Sequence, residues 1–194
     1  MKYYKILRDD ENIKKSDLVC KSVSNYEETY GITKNDLYSG VKIANWDDRF
    51  VFEYRASEGN TFSDFIFNNL GWYIISPKVQ KILRELNLGD EIQILPVQIR
   101  EIESNEIVSS YAVLNIYKFV DAFDRDNSDF REKTVKGKTI LFIKKFAFQK
   151  IGIMGSDLFR VEENKFAAFI SEKVVNKFLQ NEVTGVDFRE IKVS

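Results

Sequence analysis

The chain has 194 residues, 44% of them apolar and 30% charged, and a net charge of −1. That is enough sequence for a sizeable core, and the charge balance argues against a protein that binds nucleic acid through its global field. There is no histidine and a single cysteine, Cys20; this removes Ser-His-Asp and Cys-His catalysis, most zinc and iron sites, and any intrachain disulfide.

Residues 2–7 form an apolar and aromatic strand candidate, closed by Asp9-Asp10-Glu11-Asn12. Acidic residues arrive before any apolar stretch long enough for a signal peptide. No run approaches the roughly 20 apolar residues that span a bilayer, so a cytoplasmic protein is expected. Leu18 to Val23 reads as a strand carrying Cys20. With no histidine to activate it, a semi-buried structural thiol is favoured over a nucleophile. Residues 24–49 hold turn signals at Gly31 and Gly40 and the segment Trp46-Asp47-Asp48, and are expected to be irregular. Phe50, Phe52 and Tyr54 then alternate with Val51, Glu53 and Arg55, as in a half-buried strand.

A hairpin–helix–strand unit follows, and it recurs about 95 residues later by the spacing of its motifs. In the first copy Phe65 to Phe67 and Trp72 to Ile75 flank a turn at Asn68-Asn69-Leu70-Gly71. Ser76 is a natural N-cap and Pro77 suits the first helical position. Val79, Ile82, Leu83 and Leu86 follow one helix face, and Gly89 is the expected stop. Ile92 and Ile94 alternate, and the phase slips across Pro96 to Leu95, Val97 and Ile99, suggesting a bulge or an edge strand. In the second copy Leu158 to Val161 and Phe166 to Ile170 flank a turn. Ser171 is the cap, Val174, Val175, Phe178 and Leu179 form the face, Gly185 is the stop, and the phase slips at Glu190. The expected fold is α+β, mainly antiparallel sheet with two principal helices, in one domain over 1–194. The pseudo-repeat units cover 63–99 and 156–193.

Between the copies, Tyr111 to Tyr117 and Thr139 to Phe148 read as strands joined by an acidic connection. There Asp124, Asp126 and Ser128 loosely follow the alternation of a calcium loop. Asp129 stands where its glycine belongs, and Val135 where its glutamate belongs. A solvated loop that presents Asp121, Asp124, Asp126 and Asp129 to a basic partner is favoured over a metal site. Lys144-Lys145-Phe146-Ala147-Phe148-Gln149-Lys150 weakly matches an aromatic RNA-binding strand, with Lys145 in place of the expected glycine. Buried aromatics with exposed lysines are favoured there. Trp46 fits either a binding anchor or a plug at the edge of the core. No cofactor site and no catalytic set emerges.

Several short segments together resemble bacterial polymorphic-toxin immunity proteins of the eleventh catalogued immunity family. They are Asp64-Phe65 with Tyr73-Ile74-Ile75-Ser76, the strand Ile94-Leu95-Pro96-Val97, Tyr111-Ala112-Val113-Leu114-Asn115-Ile116, and Val120-Asp121-Ala122-Phe123-Asp124 with Ser128. Leu158-Phe159-Arg160, Ile170-Ser171-Glu172 and Thr184-Gly185-Val186-Asp187-Phe188 complete the series. The resemblance spans about residues 50–190, and residues 1–49 match poorly. It implies a non-enzymatic cytoplasmic protein that binds and blocks a cognate toxin domain. Asp121, Asp124, Asp126, Asp129 and Trp46 are the candidate contacts. A single-stranded RNA- or DNA-binding module using residues 136–150, and a carboxylate-based enzyme, are the alternatives.

Overall fold

The computed structural model describes residues 1–12, 14–135 and 137–194. Within them the fold is mainly β-sheet, largely antiparallel, with four short helices. The chain opens with β1 (Tyr3–Arg8), β2 (Val19–Ser22) and α1 (Tyr26–Tyr30), then crosses irregular structure to β3 (Val51–Tyr54). Next come β4 (Phe65–Asn68), β5 (Tyr73–Ile75), α2 (Pro77–Glu85), β6 (Ile92–Pro96), β7 (Gln98–Glu101), β8 (Ile107–Val108) and β9 (Ala112–Ile116). The remainder is β10 (Asp129–Val135), β11 (Lys138–Lys145), β12 (Ala147–Phe148), α3 (Lys150–Ile153), β13 (Leu158–Val161), β14 (Asn164–Ser171), α4 (Glu172–Gln180) and β15 (Val186–Val193).

The larger sheet runs β6-β9-β5-β4-β2-β3-β7-β8. Only Val97 separates β6 from β7, yet β6 pairs with β9 and β7 with β3. Val97 N–H donates to the Tyr111 carbonyl at 3.1 Å, and Gln98 N–H donates to the Phe50 carbonyl at 2.8 Å. One strand therefore turns a corner at Pro96-Val97 and serves both ends of the sheet, curling it and leaving the two-residue β8 as a short edge, the kind of edge that discourages pairing. The phase slip at Pro96 is this corner. Leu18, Cys20, Phe50, Phe52, Trp72 and Ile74 fill the interior.

The smaller sheet runs β12-β15-β1-β14-β13 and is buried on both faces. On one side Ile6, Ala168, Ile170 and Val186 meet Val79 and Leu83 of α2 and Val174 and Phe178 of α4. On the other, Tyr3, Phe159, Phe169 and Ile191 meet Phe146, Phe148 and Ile153. The slip at Glu190 comes from this double cover. β15 pairs with β1 without interruption from Val186 to Ile191, and only the covered face changes. The slips in the two copies, which fall at equivalent places in the sequence, thus have different causes.

The helix ends also differ from expectation. Ser76 Oγ accepts from Val79 N–H at 3.4 Å, but the Ser171 hydroxyl makes no cap bond. Asn87 and Glu182 take the left-handed conformation just past the helices; Gly89 does not, and Gly185, also left-handed, lies further on at the entry to β15. Residues 24–49 hold only α1 and one 3-10 turn, Asp36–Tyr38.

Candidate partner-binding surface

The segment joining the two hairpin–helix units, residues 121–154, carries most of the candidate surface. Its start is built around Asp124, which is only 3% exposed. The Asp124 carboxylate accepts from Asn127 Nδ2 at 2.8 Å, Ser194 Oγ at 2.9 Å, and the N–H groups of Asp126 and Asn127 at 3.1 Å. These donors, the Asn127 side chain foremost, hold its carboxyl below the usual carboxylate range. Asp124 thus shapes the loop and does not face outward, contrary to the expectation of an exposed contact. Asp121, Asp126 and Asp129 are exposed, with Asp129 4.0 Å from Lys144 Nζ. Among the described residues no cluster of acidic or sulfur ligands is arranged to hold a metal ion.

Trp46 lies apart from these aspartates, in the aromatic core of the larger sheet. Its ring stacks on Phe50 at 5.2 Å, and its Nε1–H donates to the Pro96 carbonyl at 2.7 Å. The plug reading describes it.

The loop leads into β10 and β11, which pair only with each other among the described residues. Directly opposed side chains on an antiparallel pair share a face. Phe130, Leu141 and Ile143 share the inner face and pack on Phe123, Phe146 and Phe148. Arg131 opposite Phe142 and Lys133 opposite Ile140 share the outer face, where Phe142 is 57% and Ile140 44% exposed. Beyond the ribbon, Ile151 on α3 and Met154 just after it are 86% and 84% exposed. Gly152 seats α3 on the loop: a Cβ there would lie 2.0 Å from the Asp121 carbonyl oxygen.

Sequence reasoning missed the exposed apolar residues of the ribbon. Thr139 to Phe148 reads as a long strand, and nothing in its own pattern says which face of Ile140 to Ile143 is left open. The available signal was its charged partner strand, Asp129-Phe130-Arg131-Glu132-Lys133, whose composition leaves one face without cover.

Other features carry less. Cys20 is fully buried, and burial pushes its thiol up to about 12, far from the thiolate a nucleophile needs. Phe146 and Phe148 are buried, so the basic-aromatic strand offers neither ring for base stacking, and Lys136 lies outside the described residues. A cleft of about 520 Å³ at the seam of β1 and β4 mixes Arg8 and Lys14 with Asp9 and Asp17. Among the described residues, no helix is long and apolar enough to cross a membrane.

The build is that of a sheet scaffold whose buried polar side chains, Asn115 Oδ1 excepted, are hydrogen-bonded among the described residues, with an exposed mixed surface on residues 121–154. The model of the immunity protein family Imm11 matches residues 3–193. The chain belongs to this family. The match takes in nearly all of residues 1–49, which the sequence motifs had left outside the resemblance. No curated protein matches the chain.

Proposed function

We propose that the protein neutralises a cognate bacterial toxin domain by binding it, within the cytoplasm and without catalysis. Family membership over residues 3–193 is the observation that carries this reading. The two hairpin–helix units act as one rigid domain, a duplicated scaffold, and residues 121–154 do the recognition. Exposed Asp121, Asp126 and Asp129 steer a basic area of the toxin during encounter, while apolar anchors nearby supply the contact energy. Asp124 contributes by holding the loop, and Trp46 contributes only its solvent-facing edge.

A large secreted protein with a C-terminal toxin domain is expected to be encoded beside this chain, and the test is co-expression with that domain. Rescue of growth and co-purification of the two polypeptides are expected. Growth arrest with no complex would overturn the reading.

A further inference from the structure

We propose that the outer face of the β10–β11 ribbon seats an acidic protein surface with a shallow apolar depression. The proposal rests on the toxin-binding reading and deepens it by naming the face and the partner's chemistry. Strand register puts Arg131 beside Phe142 and Lys133 beside Ile140. The two-residue alternation adds Val135 and Lys144 to the same side. All six are exposed.

A ribbon that only had to fold would cover one apolar face and leave the other polar. This one has its covered apolar face in Phe130, Leu141 and Ile143, and then a second apolar strip on the open side. Lysine on a free edge guards against unwanted strand pairing. That accounts for the cations but not for Phe142 and Ile140 set between them.

The alternation leaves one carboxylate on this side, Asp129 at the base of the ribbon, where it pairs with Lys144 at 4.0 Å; none lies beside Arg131 or Lys133 along the strip. Among the described residues the ribbon's ion pairs are Arg125 with Glu132, which shares the inner face with Leu141, and Lys144 with Asp129 at the base. Arg131 and Lys133 enter neither. Because the whole chain carries a net charge of −1, this cationic strip is local. A complementary surface must bring carboxylates around an apolar contact, beside the basic area that the aspartate loop faces. The aliphatic members favour protein over nucleic acid: bases stack on aromatic faces, and Ile140 and Val135 offer none.

The experiment uses the full chain and the toxin domain encoded beside it, titrated by calorimetry and followed by stopped flow at two salt concentrations. Phe142→Asp is expected to raise Kd roughly 30-fold or more, as for a central anchor. Arg131→Glu with Lys133→Glu is expected to slow association and flatten its salt dependence. Leu179→Asp, an exposed change on α4, should bind as wild type. Arg131→Ala with Lys133→Ala repeats the charge test with the apolar strip intact, should any variant lose its cooperative melting transition. Wild-type binding with unchanged constants in the ribbon variants overturns the ribbon and leaves the toxin reading standing. Absence of wild-type binding overturns both. Binding of oligouridylate that Phe142→Asp abolishes overturns the acidic protein partner in favour of nucleic acid.

Discussion

The Ser76 hydroxyl donates to Asp64 Oδ1 across 2.6 Å. Lys78 Nζ donates to the other oxygen at 2.8 Å, and the Ser76 N–H donates to the Asp64 carbonyl at 2.9 Å. The second unit has the same set: the Ser171 hydroxyl to Asp157 at 2.5 Å, Lys173 to Asp157 at 2.8 Å, and Ser171 N–H to the Asp157 carbonyl at 2.9 Å. The units also hold each other. Thr184, after α4, donates its N–H to Asp64 Oδ2 at 3.0 Å and accepts from Phe65 N–H at 3.0 Å. Glu91, after α2, accepts from the N–H groups of Asp157 and Leu158, the latter at 2.8 Å. Each unit's tail secures the other's head.

Asp64→Ala should therefore destabilise by about 2–3 kcal/mol, the range for losing hydrogen bonds to a charged, mostly buried group. The half-exposed Lys78 contributes little of that through its charge. Asp157→Ala should give a similar loss. Urea unfolding checks both; a loss below about 0.5 kcal/mol in either would remove the aspartates from the scaffold's support.

Two carboxylates in this arrangement should give pH slopes of opposite sign. Burial opposes ionisation of Asp64, but Lys78, Ser76 and Thr184 outweigh it and hold the group below its ordinary 3.8. The folded state then binds fewer protons, so this stabilisation is present above 3.8 and lost as pH falls through the lower folded value. Burial pushes Glu91 above its ordinary 4.5, against the pull of the Asp157 and Leu158 N–H groups. The folded state then binds more protons, and stability falls as pH rises from 4.5 through the raised value. Asp64→Asn should flatten the acid limb of the stability profile, and Glu91→Gln should flatten the decline above 4.5. Unfolding midpoints across this range give the comparison, and slopes unchanged in both variants would contradict it.

Much of this scaffold was legible in the sequence because it is local. Ser76-Pro77 and the Val79, Ile82, Leu83 spacing place α2, and Leu158 to Ile170 places the β13–β14 hairpin. Pairings between distant segments were not legible. β1 lies between β14 and β15 because Tyr3 and Ile6 each suit a different buried face, and a period of two assigns only one face to a strand. The stops at Gly89 and Gly185 were misread for a related reason. A glycine near a helix end resembles a cap, but Gly185 answers to a neighbour 120 residues away, Phe65. The surface was the least legible part. Asp124 has the same sequence appearance as Asp121 and Asp126, and only tertiary donors such as Ser194 separate them.

Gly185 tests that distinction directly. It has φ +80, and a Cβ would lie 2.4 Å from the Phe65 carbonyl oxygen. Gly31, φ +66, has nothing within 4 Å of its would-be Cβ. Gly31→Ala should lose about 1 kcal/mol from backbone strain alone, whereas Gly185→Ala should lose about 2 kcal/mol or more. Equal losses in thermal unfolding would mean that β15 relaxes away from β4 freely.

Arg160 joins the two sheets from β13. It is 2% exposed and donates to the carbonyls of Lys165 at 2.6 Å and Ile116 at 3.2 Å. Its guanidinium lies 5.0 Å from the Tyr38 ring centroid and 5.8 Å from that of Tyr73. Carbonyl dipoles and ring faces thus take the place of a carboxylate. Arg160→Ala should cost about 3 kcal/mol, lowering the melting temperature by roughly 6–12 °C in a chain of this size. Arg160→Lys should recover only part, since an ammonium cannot span the same acceptors as a planar fork. Full recovery by lysine would show that charge alone matters there.

The aspartate loop offers the sharpest separation of structure from recognition. Asp124 is enclosed by Asn127 and Ser194 donors, and its neighbour Ser128 accepts from Ala147 N–H at 2.9 Å. The loop and the start of β12 are therefore one hydrogen-bonded unit, which also sets the base of the ribbon. Asp124→Ala should lower the melting temperature and speed proteolysis between β10 and β11. Asp121→Lys and Asp126→Lys, at exposed positions, should leave melting unchanged and slow association with the toxin domain, most strongly at low salt. If Asp124→Ala melted as wild type while its toxin association slowed like that of the exposed pair, Asp124 would belong to the contact surface and the division of labour within the loop would be wrong.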